Sequence, residues 1–537
     1  MRVACNSRRL VVCFSLLFSL LSKAQCSKDI VILGSTGDLA RKYLWQSVFE
    51  SVSYLNNDYE GIVYASFYTT DTRESVVQIV DQSIEGNKSQ FLEKIRVIPL
   101  TKNADYYNFC WENRHSSRVF YAAIPTNAFK DVLQWITTSC IGVGTVDVAL
   151  EKPIGEDLMK FKDLNLYIKR LSFSGFSVHF IDHYASKPLL IGATDWVFPR
   201  MPLRPTEFQL FLLDDKDVFR NLNNYVAVNG VVADVIQNHA SVLLAGMLYS
   251  LLNSTESADE IADILQSMTE PLPLWIGQYK KIEEEMVSVF GFEHQEHIPA
   301  TAVVAHLQYL RSSSASPIDV FVAAGKASKR KMSYAKVSFG NLEPEMYLNF
   351  DTPSANFPEL VIGRPKIDSS SPHEGSVLND HTFMPHCQMK PLGQNFISYN
   401  HYESVSGCNF TTSLYGHDLP KPYTHIITRL LTGETSALLN FKDELGNKHK
   451  SKSHLLKPTP KMVENQWKLW NNLTETIKFM DPNARTSYHK FSNQLYNFIV
   501  MSMEKYKGKE VSRDELKKLH KEAKGSTSPK NMDRNEL

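Results

Sequence analysis

Three short stretches hold most of the side chains that can do chemistry. In Phe180-Ile-Asp182-His183-Tyr184-Ala-Ser-Lys187 a carboxylate, an imidazole, a phenol and an ammonium fall within six positions. Such a set can hold a phosphorylated sugar through charge-assisted hydrogen bonds, and it can equally be surface polarity. In Ala233-Asp234-Val-Ile-Gln-Asn-His239 a histidine, whose ordinary pKa suits general-base work, follows an acid by five positions. On an α-helix that spacing separates them by about 140°, on different faces, and a lone helical histidine is more often structural than catalytic. The third stretch is Gly34-Ser35-Thr36-Gly37-Asp38-Leu39. Its glycines let the backbone approach an anion, and the positive end of a following helix favours a pyrophosphate there. The Gly-x-x-Gly spacing lacks the full dinucleotide fingerprint, so an ordinary strand-to-helix turn is the competing reading.

The elements that must position these residues follow from periodicity. Asp29-Ile-Val-Ile-Leu-Gly34 reads as a buried strand, and a helical pattern runs from the glycine turn through Phe49. Apolar runs at 61–67, 95–100, 119–124 and 146–151 alternate with helical stretches such as 127–136 and 157–171. That alternation predicts an α/β, Rossmann-like domain with a doubly wound parallel sheet over 27–181. Beyond it, β-rich runs at 207–213, 302–310, 319–324 and 334–339 surround one long helical stretch, 230–252. An α+β domain with a large, mainly antiparallel sheet is expected over 182–505. The Lys/Glu-rich stretch 506–537 is expected to be a flexible tail.

Arg2, Arg8 and Arg9 precede an apolar run from Leu10 to Leu21, with Ala24 following, the layout of a cleavable signal peptide over 1–25. Twelve helical residues reach about 18 Å, short of the roughly 30 Å hydrocarbon layer, so no stable membrane insertion is expected. Lysine plus arginine and aspartate plus glutamate both total 58, and this balance excludes the broad basic surface that nucleic-acid binding needs. Cys110, Cys140, Cys387 and Cys408 lie in the mature body without metal-ligand spacing, so no metal is expected and one or two disulfides can form. Asn87, Asn253, Asn409 and Asn472 open glycosylation sequons, and the terminal Arg534-Asn-Glu-Leu537 is similar to a reticulum-retention address. The expected location is the lumen of the endoplasmic reticulum, with secretion as the alternative.

Taken in order, the turn Gly34–Leu39, Phe120-Tyr-Ala-Ala-Ile-Pro125, Glu151-Lys-Pro-Ile-Gly155, Ile181-Asp-His-Tyr184 with Lys187, Val235-Ile-Gln-Asn-His239 and Gly325-Lys326-Ala327 resemble the glucose-6-phosphate dehydrogenase family. With the leader and tail, the chain is most similar to its lumenal, hexose-6-phosphate branch. The resemblance implies oxidation of glucose 6-phosphate, or another hexose 6-phosphate, to the lactone, with NADP as coenzyme and NAD as an alternative. It makes His239 the general base and Asp182 the carboxylate that orients it. It assigns His183, Tyr184 and Lys187 to the phosphate, Asp215 and Asp234 to sugar hydroxyls, Lys326 and Lys331 to the anion pocket, and Lys152 to both coenzyme and sugar. Gly34, Ser35, Thr36, Gly37, Asp38 and Leu39 would hold the coenzyme, and relatives commonly form homodimers.

Several positions depart from the family pattern. Phe180, Ala233 and Ser66 stand where arginines are usual, and Asp215 where glutamate is usual; Ser66 is the position that opens the choice to NAD. Ala323 and Gly363 replace arginines for a second, structural NADP, which is therefore not expected. Lumenal relatives carry a lactonase domain after the dehydrogenase, and none is expected within the sequence to Leu537. The lost arginines leave an alternative: a weak or inactive member that binds sugar phosphate or a protein partner.

Overall fold

The computed structural model describes residues 28–365 with interruptions, chiefly 56–58, 68–71, 141–143, 172–174, 195–203, 216–229, 253–257, 281–299, 311–315 and 351–359. Beyond them it describes 389–391, 402–404, 408–414, 421–432, 440–442, 448–450, 458–478 and scattered positions from 480 to 503. The expected leader and tail lie outside the described residues.

The chain packs into two compact units. One comprises residues up to Glu151, Tyr167–His179 and Tyr423–Leu438; the other comprises Lys152–Leu166, Phe180–Pro422 and Leu439–Leu537. The path therefore passes between them more than once, where the sequence suggests one crossing near 181.

In the first unit Ile30, Val31 and Ile32 of β1 (Asp29–Leu33) are buried on both faces, as a central parallel strand requires. Beside it lie β2 (Val63–Phe67), β3 (Ile95–Pro99), β4 (Arg118–Ala122), β5 (Val146–Glu151) and β6 (Phe176–Ile181), in the sheet order β3-β2-β1-β4-β5-β6. The register pairs Ile32 with Ala65 on one side and with Tyr121 on the other. Reversal of direction on either side of β1 is the doubly wound arrangement, and it opens a crevice at the carboxyl end of that strand. The helices are α1 (Trp45–Leu55), α2 (Arg73–Gln82), α3 (Ser89–Glu93), α4 (Asn103–Glu112) and α5 (Phe129–Ser139). A disulfide joins Cys110 of α4 to Cys140 just beyond α5. Cys387 lies outside the described residues.

Helix α6 (Leu158–Arg170) precedes β6, and α7 (Ser241–Leu251), α8 (Ala258–Gln266), α9 (Pro422–Thr432) and α10 (Pro460–Lys478) follow later in the chain. Helix α9 returns to the first unit from far along the sequence. The Thr424 hydroxyl donates to Glu50 at 2.6 Å, its carbonyl accepts from Ser51 at 3.1 Å, and Tyr423 stacks on Tyr43 at 5.7 Å.

The second unit is built on a nine-stranded sheet. Its strands are β7 (Glu207–Leu213), β8 (Leu272–Tyr279), β9 (Ala302–Tyr309), β10 (Ile318–Gly325), β11 (Met332–Ser338), β12 (Glu345–Asn349), β13 (Leu360–Pro365), β16 (Cys408–Leu414) and β19 (Thr486–Tyr488). Two small ribbons pair β14 (Met389–Pro391) with β15 (Tyr402–Ser404) and β17 (Asn440–Lys442) with β18 (Lys448–Lys450). All its neighbours pair antiparallel except β7 with β10 and β8 with β19, so the large, mainly antiparallel sheet is as expected. One face of the sheet packs on α7, α10 and the segment before α7, around Leu210, Val320, Ala335, Leu243 and Trp470. Alternate residues such as Phe211, Phe321 and Tyr334 point to the other face, as strand geometry demands. No helix among the described residues is long and apolar enough to cross a membrane.

Candidate functional site

The glycine turn leaves β1 at Gly34, whose φ of +74° lies in the left-handed region. A Cβ there would lie 2.4 Å from the Ala123 carbonyl oxygen, so only glycine fits. The Ser66 carbonyl, at the end of β2, accepts from both the Ser35 amide at 3.2 Å and the Ser35 hydroxyl at 2.5 Å. Trp45 donates to the Ser35 carbonyl at 2.9 Å, and Gly37 closes the turn on Gly34 at 3.0 Å. Gly37 and Asp38 are exposed at the start of the helical run, with Asp38 paired to Lys42 at 2.7 Å. Arg41 donates from Nε to the Thr36 carbonyl at 2.7 Å, and its terminal nitrogens have no partner among the described residues. The result is a helix amino terminus, exposed at Gly37 and Asp38, at the carboxyl edge of a parallel sheet, which fits a dinucleotide pyrophosphate.

In the second unit, His239 and Asp182 form a buried pair. The imidazole Nδ1 sits 2.9 Å from each oxygen of the carboxylate, so Nδ1 carries the proton and Nε2 is left to accept one. Asp182 is fixed from its own loop by the Tyr184 amide at 2.8 Å. The rings of Tyr184 and His183 flank His239 at 4.4 and 4.7 Å, and the Lys187 ammonium lies 4.1 Å over the Tyr184 ring. Lys187 also donates to the Phe350 carbonyl, and the Tyr184 hydroxyl meets Ser333 at 3.1 Å.

A chain of alternating charge adjoins this pair. Lys152 meets Asp234 Oδ1 at 2.9 Å, Lys326 meets Asp234 Oδ2 at 3.0 Å, and Lys326 also meets Asp214 at 3.1 Å. Burial alone would raise the Asp234 carboxyl, but Lys152 and Lys326 hold it below the usual carboxylate range. Burial would lower the Lys326 ammonium, yet Asp234 and Asp214 raise it above its ordinary value. Burial likewise works against ionised Asp182, and His239, the Tyr184 amide and Lys152 outweigh it. Burial lowers His239, and although Asp182 opposes this, the imidazole stays below 6.5. His183 lies well below 6.5, through burial and then through His239 and the nearby Lys152, Lys187 and Lys331. Both imidazoles are therefore neutral at neutral pH. Ligand atoms of Asp182, His183 and His239 lie within 4.8 Å of one another, but both Asp182 oxygens face His239 and the surrounding lysines oppose a cation.

The structure differs from the sequence reading at two points. The segment Val232–Ala240 is π-helical, with i→i+5 bonding, so five residues make roughly one turn. Asp234 and His239 are therefore close to one face, not the 140° apart expected of an α-helix, and Asp234 acts electrostatically on the imidazole. Asp215 is exposed, while Asp214 turns to Lys326. Lys331 is exposed at the rim; Lys152, Asp182, His183, Tyr184, Lys187, Asp234, His239 and Lys326 come together as described. Sequence reasoning missed Asp214, Ser333 and Arg41. Strand alternation at the end of β7 is the signal that separates Asp214 from Asp215. Phe180 and Ala233 are buried in place of the usual arginines, Phe180 against Phe161 at 6.3 Å.

Residues 31–190 match the model of the family described as glucose-6-phosphate dehydrogenase, NAD binding domain. The chain is 24% identical over 383 residues to the human GDH/6PGL endoplasmic bifunctional protein, covering 63% of this chain and 47% of that one. It is 23% identical over 363 residues to the chloroplastic glucose-6-phosphate 1-dehydrogenase of Spinacia oleracea, covering 60% and 62%. The match thus spans less than two thirds of the length of either relative. A solved glucose-6-phosphate dehydrogenase in complex with glucose-6-phosphate shares the fold, with TM-score 0.61, 15% identity, and coverage of 91% of this chain and 99% of that one. The enzyme from Mycobacterium avium gives TM-score 0.60 at 16% identity, covering 86% and 94%.

Proposed function

We propose that this chain, which is similar to glucose-6-phosphate dehydrogenases and matches their NAD-binding-domain model over residues 31–190, oxidises a hexose 6-phosphate at the anomeric carbon, with His239 as general base. The observation that carries this reading is the buried Asp182–His239 pair, whose imidazole is neutral and has Nε2 available. His239 Nε2 accepts the proton of the anomeric hydroxyl. Asp182 holds the tautomer and stabilises the imidazolium that forms, without itself becoming protonated.

Lys187, neutral His183 and Tyr184 bind the phosphate, Lys187 leaving the Phe350 carbonyl to do so, and Lys331 adds positive charge at the rim. Asp234 and Asp214 accept from sugar hydroxyls, Asp214 taking the role expected of Asp215. Lys152 and Lys326 keep Asp234 ionised, and Lys326 also pairs with Asp214. When bound, a nicotinamide dinucleotide supplies the two-electron acceptor. Gly34 to Leu39 hold its pyrophosphate, and Arg41, anchored beside Thr36, offers a 2′-phosphate the positive charge that Ser66 lacks. NADP is the coenzyme we favour for that reason, with NAD as the alternative.

The compartment we propose is the reticulum lumen. The disulfide between Cys110 and Cys140 supports an oxidising environment, and the human relative is named as endoplasmic. Initial rates with glucose 6-phosphate, galactose 6-phosphate and free glucose, each with NADP and NAD, test the activity. Turnover of the phosphorylated sugars well above free glucose is expected; no turnover of any hexose phosphate with either coenzyme refutes it.

A further inference from the structure

Two of the four sequons have described side chains, and they differ in what their reacting groups are doing. In the sequon at 472 the Asn472 amide donates to Glu270 at 2.7 Å and the Thr474 hydroxyl donates to the Trp470 carbonyl at 3.0 Å. Both lie within α10, with the intervening Leu473 buried. In the sequon at 87, Asn87 and Ser89 are both exposed, and neither side chain is engaged among the described residues. Asn87 follows Gly86, whose φ of +101° turns the chain between α2 and α3.

We infer that Asn87 carries an N-linked glycan. The inference rests on the lumenal reading, because only that route meets the donor, a polyprenyl-diphosphate-linked oligosaccharide. A bond forms between Asn87 Nδ2 and the anomeric carbon of the donor sugar. The bond from that carbon to the diphosphate oxygen breaks, the diphosphate leaves with the electron pair, and the amide gives up one proton to the transferase. The connection that holds Asn87 leads into the amino end of β3, whereas the coenzyme turn leaves the carboxyl end of β1, and the strands are parallel. The glycan thus projects from the opposite edge of the sheet and leaves coenzyme binding alone.

The test expresses the full chain in a eukaryotic secretory host, in one arm with its own leader and in another behind a leader of proven function. Glycans are removed enzymatically and each asparagine is examined by mass spectrometry for deglycosylation. In the second arm Asn87 is expected to be occupied, and Asn87→Gln or Ser89→Ala to lose one glycan step in mobility while dehydrogenase activity is unchanged. A bare Asn87 in lumenal protein of that arm overturns the inference. Failure of the first arm to enter microsomes overturns only the lumenal reading.

Discussion

The turn proposed to hold the coenzyme is one continuous stretch, Gly34 to Leu39, shaped by backbone bonds to Ser66 and by a missing Cβ. The cluster proposed to face the sugar instead draws Lys152, Asp182, Asp214, His239 and Lys326 from five segments and is held by ion pairs and by the Asp182–His239 hydrogen bond. The first kind of site tolerates most side-chain changes but not an added atom at Gly34. The second tolerates small shifts of backbone but not the loss of one partner, because the remaining buried charge is then uncompensated.

The largest effect that would sharpen this contrast is Asp182→Asn. The fold should persist while kcat/KM drops roughly 10²- to 10⁴-fold, since the imidazole loses its orienting carboxylate. A loss below about tenfold would mean the pair is not a working unit. Next comes Gly34→Val, which combines a 2.4 Å clash with φ of +74°. Urea unfolding should show about 3 kcal/mol or more of destabilisation, against about 1 kcal/mol for Ser35→Ala. Equal losses at the two positions would break the view that the turn is defined by its backbone.

Lys187→Ala should raise KM for glucose 6-phosphate about 10- to 100-fold with kcat little changed, the loss expected of a charged hydrogen bond. Unchanged affinity would remove phosphate from this cluster.

The smallest effect lies outside both regions, in α9. Burial, with Arg429 adding to it, holds His425 neutral down to a pKa of about 3, against about 6.5 in the unfolded chain. As pH falls below 6.5 the unfolded chain takes up a proton that the folded chain refuses, so stability declines until about pH 3. By pH 5 the loss is about 2 kcal/mol, and His425→Gln should flatten that part of the stability profile. An unaltered profile would show that His425 is not neutral in the folded protein.

The contrast also explains what the sequence disclosed. The turn is legible because its residues are contiguous and strand, glycine and helix succeed one another within a short window. The parallel and antiparallel sheets are legible for the same local reasons. Asp182, His183 and Lys187 stand out as a polar cluster, but nothing in their spacing assigns His239 as their partner, which lies 57 residues away. The ordered motifs suggest that pairing; the Nδ1-to-carboxylate geometry supports it. The π-helical turn that brings Asp234 toward the face of His239 is invisible to a 100° periodicity. Asp214 and Asp215 differ by a single register step, and alternation sends their side chains opposite ways. The return of α9 to Glu50 and Ser51 is a long-range packing event that no local pattern encodes.

Whether His239 is the base is tested most sharply by comparing steady-state rates and sugar-phosphate binding for wild type and His239→Asn. The variant's kcat should fall roughly 10²- to 10⁴-fold with the dissociation constant for glucose 6-phosphate little changed. Because burial holds His239 below 6.5, the wild-type acid limb of kcat/KM should lie below pH 6.5 and vanish from any residual activity of the variant. A variant that keeps more than about a tenth of the rate, with the same acid limb, would mean that His239 is not the base.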